Sequence, residues 1–283
     1  YPPTACSMAL VPRCAMPDAR ALSMARTWLD VLVRIMADDA RRAAMVADLV
    51  HPKWLLMLVR PGLARDDVPL VLEFVGMLLS TSPSLAQNWT RLGGFRVLER
   101  TLPPHWDVPC VLPWMWTLLL GPHAPKSSLY HTFAHATAVA HPQALRVIVQ
   151  CMAHGMMACR TAPAKRRASL PHIPAPPPGL TALEDSVRLL VVHSHNEDVR
   201  ALLMLAPTLV AVLRATAPCF VDEPCGPRVC ALCDALVDML AACIAELVLS
   251  SHTLTLLHNL HAVAMPTSDP LIQSRLCTAV YIP

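Results

Sequence analysis

Along most of this chain of 283 residues the apolar positions recur at steps of three and four. Leu22, Ala25, Trp28, Leu29, Leu32, Ile35 and Met36 form one continuous face, the period of an amphipathic α-helix rather than the alternation of a half-buried strand. Asp18 precedes this segment as its N-cap and Asp38-Asp39 follow it. The same spacing predicts helices over 40–49, 53–59, 69–79, 95–102, 110–120, 129–140 and 143–159. It resumes over 181–193, 198–215, 228–249, 254–263 and 271–279. Runs of alternating β-branched and polar residues closed by two-residue turns are absent, and Gly is scarce.

The expected fold is therefore all-α. Short consecutive helices joined by loops, with 28 prolines acting as starts and stops, fit an armadillo- or HEAT-like α-solenoid in which each helix pair buries its face on its neighbours. No strict repeat period runs through the chain. One segment interrupts the helical pattern: Ala162 to Gly179 carries Lys165-Arg166-Arg167, Pro171, Pro174 and Pro176-Pro177-Pro178, which favours an extended, semi-rigid linker. It divides the sequence into a helical block over 1–161, a Pro-rich basic linker over 162–179 and a second helical block over 180–283.

Composition narrows the function classes. Hydrophobic residues make up 54% and charged residues 15%, the reverse of the disorder signature. So apolar a surface needs covering, and together with the lack of an initiator Met at Tyr1 this is what an internal piece of a larger protein looks like. A formal charge of +3 with scattered Lys and Arg is too weak for the basic stripe of a nucleic-acid binder. The eleven Cys sit mostly within apolar helical segments, which suits a reducing cytosol better than a secreted disulfide framework. No run reaches the ~18–20 apolar residues of a membrane span; the nearest, over 108–120, is interrupted by Pro109 and Pro113. The N-terminus has no secretory pattern.

Candidate chemistry is sparse, and no catalytic residue or cofactor is expected. Cys219, Cys225, Cys230 and Cys233 make the best metal candidate, since Cys230-x-x-Cys233 supplies two thiolates toward a tetrahedral zinc. The spacing before that pair is irregular, and one helical turn at the start of an Ala/Leu/Val-rich segment is where small buried thiols are ordinary core residues. His131 and His135 stand four apart and His193 two before His195, but neither pair has a third ligand or an intervening Glu. Asp38-Asp39, Asp66-Asp67, Glu184-Asp185, Glu197-Asp198 and Asp222-Glu223 fall at inferred helix boundaries, where capping and dipole interactions account for them. No Gly-x-Ser-x-Gly elbow or phosphate loop exists; Gly93-Gly94 reads as a tight turn before Phe95. In the linker, Arg166-Arg167-Ala168-Ser169-Leu170 matches the substrate pattern of a basophilic kinase, so Ser169 is a candidate phosphosite, whose added charge would fold the linker onto its basic residues.

Six tryptophans are candidate interface anchors. Trp28 and Trp54 lie on apolar faces and are expected in the core, whereas Trp106, in a loop between two helices, is the expected exposed interaction residue. Trp28-Leu29-Asp30-Val31 also has the aromatic-x-x-aliphatic form of autophagy-adaptor ligands, a match that amphipathic helices produce by chance.

Several ordered motifs carry a family resemblance. Trp54-Leu55-Leu56-Met57, then Gly94-Phe95, Val97-Leu98 and Leu102-Pro103, then His105 and Val108-Pro109 resemble a helical stretch in the very large BEACH proteins, specifically the autophagy-linked WD-repeat and FYVE-domain group. The specific part is Leu49 to Gly121; Leu189 to Pro218 and Thr253 to Leu276 are more weakly similar. The resemblance implies a non-catalytic, cytoplasmic scaffold segment, upstream of the PH-BEACH module, with a role in selective autophagy, vesicle trafficking or cargo handling. Its implied partners are other proteins or other domains of the same large chain, with membrane association only through modules absent from this sequence. The long Pro-rich linker and the Ala/His-rich second half depart from the family pattern. The alternatives are a free-standing interaction module regulated at Ser169 and a zinc-dependent domain using the four cysteines.

Overall fold

The computed structural model describes residues 19–59, 62–124, 126–161, 179–205, 208–212 and 227–249. Every regular element among them is helical. These are α1 (Ala19–Asp38), α2 (Ala40–Leu49), α3 (Pro52–Leu58), α4 (Val68–Thr81), α5 (Pro83–Arg91), α6 (Gly94–Thr101), α7 (Val111–Leu120), α8 (Leu129–Phe133), α9 (Ala144–Thr161), α10 (Leu180–His193), α11 (Glu197–Leu203) and α12 (Pro227–Leu249). Single 3-10 turns lie at Arg65–Asp67 and Pro103–His105, and residues 208–212 are helical.

Local chemistry explains where these helices begin. The Asp39 carboxylate accepts from the Arg41 amide (2.8 Å), Ser82 Oγ from Leu85 N (3.3 Å), Ser128 Oγ from His131 N (3.2 Å) and Asn196 Oδ1 from Asp198 N (2.9 Å). Each satisfies an amide that has no partner within its helix. Proline occupies the first turn of α3, α4 and α5, where its missing N–H costs nothing. Pro113 likewise sits in the first turn of α7 and so does not interrupt it.

Three elements differ from the periodicity. The predicted helix over 129–140 stops at Phe133; beyond it the chain runs as a loop, whose Ala140 amide donates to Leu119 O (2.7 Å) and whose Thr137 carbonyl accepts from Asn196 Nδ2 (3.1 Å). The predicted helix over 198–215 closes at Leu203 into a turn, just ahead of Pro207, which has no amide to continue the ladder. α5 has no counterpart in the periodic reading because only Leu85, Ala86 and Trp89 of it are buried; the Ser82-Pro83 start signal was its sequence mark. Asp18 and the predicted helices over 254–263 and 271–279 lie outside the described residues.

The helices pack mostly on others two or three places away along the chain. α4 lies against α1, α2 and α5, α7 against α4 and α9, α9 against α6, and α10 against α7, α8, α9 and α12. One continuous hydrophobic core runs from Val33 to Ile244, so the helices before and after the linker are packed together. Polar ties reinforce that junction: Trp116 Nε1 donates to Ser186 Oγ (3.1 Å), and the Tyr130 amide donates to the buried Asp185 carboxylate (3.3 Å).

Among the described residues, indole rings lie directly against glycines at four places, where a Cβ would meet the ring or the backbone beside it. Gly76 of α4 lies beneath Trp114, and Gly94 at the start of α6 lies beneath Trp89. Gly155 of α9 and Gly179, which precedes α10, both face Trp106. A Cβ on Gly155 would stand 2.8 Å from the Trp106 ring, and one on Gly179 would stand 2.7 Å from the Asp107 backbone. Gly179 also has φ of 90°, so it meets a steric and a conformational requirement together. Gly93, with φ of 83°, makes the turn into α6.

Helix propensity alone favours Gly94→Ala by ~1 kcal/mol. Because the added methyl meets the fully buried Trp89 ring, the variant is expected instead to lose ~1–3 kcal/mol. Urea unfolding of the two proteins checks the sign, and a stabilised variant would show that the ring and glycine do not touch.

Candidate interaction surface

The structure exchanges the expected roles of the tryptophans. Trp106 is 6% exposed: the Pro103–His105 turn carries its ring inward onto Gly155 and Gly179. It is a core residue and offers no surface to a partner. The loop that holds it is clamped from outside by Arg65, whose two terminal nitrogens each donate to an Asp107 carboxylate oxygen at 2.7 Å. That pairing holds the Asp107 carboxyl below, and the Arg65 guanidinium above, its usual pKa. Trp28 and Trp54, expected inside, are 64% and 69% exposed.

Their exposure follows from the width of the apolar arcs. At about 100° per residue, Trp28, Leu29, Val31, Leu32, Val33, Ile35 and Met36 spread over roughly 200° of α1. One-sided docking needs an arc of ~100°. Val33 and Met36 are buried, with Leu29 and Leu32 packed beside them, and Trp28, Val31 and Ile35 are left on the outer half. α2 repeats the division, burying Ala43 and Ala47 while exposing Met45 and Leu49. In α3, Leu55 is buried and Trp54 and Met57 face out. Each of three consecutive helices thus presents large apolar side chains to solvent. Nearby charges are largely spent on one another, as in Asp30–Arg34 (3.0 Å), Asp39–Arg42 (3.8 Å) and Arg26–Asp67 (3.5 Å).

The candidate chemical groups are distributed differently. His131 and His135 do not share a helix, because α8 ends between them. His193 is buried with Nε2 3.0 Å from the Phe133 carbonyl, while His195 is exposed. Of the carboxylate pairs, Asp39 caps α2, and Glu197 and Asp198 occupy the first turn of α11. Glu184-Asp185 instead lies within α10, where Glu184 pairs with Arg228 (2.8 Å) and Asp185 accepts from Tyr130; their role is to join helices. Asp222 and Glu223 lie outside the described residues.

Cys233 is buried and Cys230 partly so, while Cys219 and Cys225 lie outside the described residues, as does Ser169. Among the described residues no group of three or more metal-ligating side chains converges. Burial raises the Cys110 thiol to about 11, with Glu73 adding to the effect, and pushes Cys151, Cys159 and Cys243 upward as well. These four thiols are therefore poor nucleophiles near neutral pH. No single helix among the described residues is long and apolar enough to cross a membrane.

Compared with family models, curated proteins and solved structures, the chain gives no significant match.

Two stability predictions separate core from surface. Trp106→Ala is expected to lose ~3–5 kcal/mol in denaturant unfolding, whereas Trp28→Ser and Trp54→Ser are expected to stay within ~0.5 kcal/mol of the parent; a neutral Trp106→Ala would remove the ring from the core. Burial, opposed by backbone hydrogen bonding, lowers the pKa of His141 and His193, and burial aided by the Arg65 charge lowers that of His105. The unfolded chain then binds more protons below its histidine value of ~6.5. Stability is expected to be full above that value and to fall as the pH drops below it, which melting curves between pH 8 and pH 5 would reveal.

Proposed function

We propose that this chain is a non-catalytic helical scaffold segment, built as an armadillo- or HEAT-like α-solenoid, that works by offering helix surface to other proteins or to other parts of a larger polypeptide. The observation that carries this reading is the set of large apolar side chains left in solvent on α1, α2 and α3, above all Trp28, Leu49, Trp54 and Met57. Concentrated exposure of this kind marks interaction surfaces, and tryptophan is prominent among binding hot spots. Packing of helices chiefly on others two or three places away along the chain, as stacked helical repeats do, supports the solenoid reading.

The resemblance of Leu49 to Gly121 to the autophagy-linked BEACH group extends the proposal to a setting. The segment belongs to a large cytoplasmic scaffold, peripheral to membranes, that takes part in selective autophagy, vesicle trafficking or cargo handling. Membranes are engaged only through modules beyond these residues, and no cofactor is required.

A photo-cross-linking amino acid at position 57 in cells is expected to give a dominant adduct, diminished at least ~10-fold when Trp54→Ser, one turn away on α3, is combined with Trp28→Ser on α1. Absence of any adduct, or one indifferent to both substitutions, counts against the surface. The scaffold setting has its own readout: an antibody to the linker should detect a polypeptide many times the 30.8 kDa of this sequence, and a band at that mass would end the BEACH reading.

A further inference from the structure

We propose that the cleft between the α5–α6 turn, the start of α9 and the turn after α11 binds short acidic peptide segments carrying a bulky apolar side chain. The cleft encloses about 550 Å³, within the range of ligand pockets, and stands apart from the α1–α3 face. Its floor is apolar: Phe95 is buried edge-on to Trp89 at 5.1 Å, and Leu145 is buried beside it. Leu92 and Leu205 are large, exposed and on its lining.

The charge of the lining selects the partner. Arg91, Arg96 and Arg146 contribute to it, against the single carboxylate of Glu99. Arg146 takes up that carboxylate, with Nε 2.8 Å from Glu99 Oε1, an ion pair without a well-aligned hydrogen bond at Nε. Arg91 and Arg96 are exposed and make no ion pair among the described residues. The beginnings of α6 and α9 both face the cleft, and neither has an acidic residue in its first turn, so their positive dipole ends are unopposed locally. Gly93, which precedes α6, has no side chain to cap it. Carboxylates of a peptide meet Arg91, Arg96 and these helix starts, while a Leu or Phe side chain enters between Leu92, Phe95 and Leu205. Guanidinium groups suit this role because they pair with carboxylates through two parallel N–H donors.

The full chain is titrated against a fluorescein-labelled peptide of sequence EDLDELFE, with fluorescence anisotropy as readout. Saturable binding is expected, weakening as salt is raised. Arg91→Glu combined with Arg96→Glu is expected to reduce affinity at least ~10-fold without shifting the melting temperature, since both side chains are exposed. A peptide with its Leu and Phe changed to Ser is expected to bind similarly weakly. No binding of the parent peptide, undiminished binding to the double variant, or equal binding of the Ser peptide overturns the proposal. So does tighter binding of an oligothymidine of equal charge. The Trp28→Ser, Trp54→Ser protein is expected to keep full peptide affinity, and its loss would assign the peptide to the α1–α3 face instead.

Discussion

The arrangement of this protein depends on flat indole rings seated against glycines. Trp114 on Gly76, Trp89 on Gly94, and Trp106 on Gly155 and Gly179 are contacts in which a Cβ would occupy the space of the ring. Three of the four join elements well separated in sequence. Trp106 is the most demanding, since it is held between α9 and Gly179, the residue that precedes α10. The Arg65–Asp107 pair closes the same loop from the solvent side. Such an exposed pair contributes ~0–1 kcal/mol, far less than burial of an indole; its part is to orient a loop whose inward side carries the energy.

Helices were legible in the sequence because a period of three and four is a property of one element and its own apolar face. α2 agrees with its predicted range residue for residue. α5 was not legible, because three buried side chains in a polar stretch leave almost no periodic signal. α8 was overextended because Ala is a good helix former whether or not a helix is required. Its end depends on Leu119 and Asn196, distant partners that no local pattern contains. The turn at Gly93-Gly94 was readable from composition, but the reason for its second glycine was not, since the Trp89 ring must be in place before the missing Cβ has meaning.

The tryptophans show the same limit more sharply. Trp28 and Trp54 sit on faces that are apolar by spacing, and spacing does not say whether a neighbour covers the whole face. An arc of about 200° on α1 carries more apolar surface than its packing on α2 and α4 hides. Trp106 lies in a Pro-bounded loop, where exposure is the usual outcome. Its burial depends on glycines far downstream. The carboxylates divide on similar grounds: those at helix starts were read correctly from local chemistry, whereas Glu184 and Asp185 acquired their roles from Arg228 and Tyr130.

One residue type therefore does opposite work in the two regions, and the difference lies in its surroundings. A core indole gains from a flat seat for its ring or from an acceptor for its N–H. Trp106 and Trp89 have glycine seats, and Trp116, without one, has the Ser186 hydroxyl. None of the described glycines faces Trp28 or Trp54. Removing those two rings should cost the fold little, so their presence is poorly accounted for by the stability of this segment alone. A surface that keeps large apolar rings in water carries a solubility burden, and docking against another protein surface relieves it. That contrast between seated and unseated tryptophans, rather than overall hydrophobicity, is the physical basis for the proposal that α1, α2 and α3 serve association.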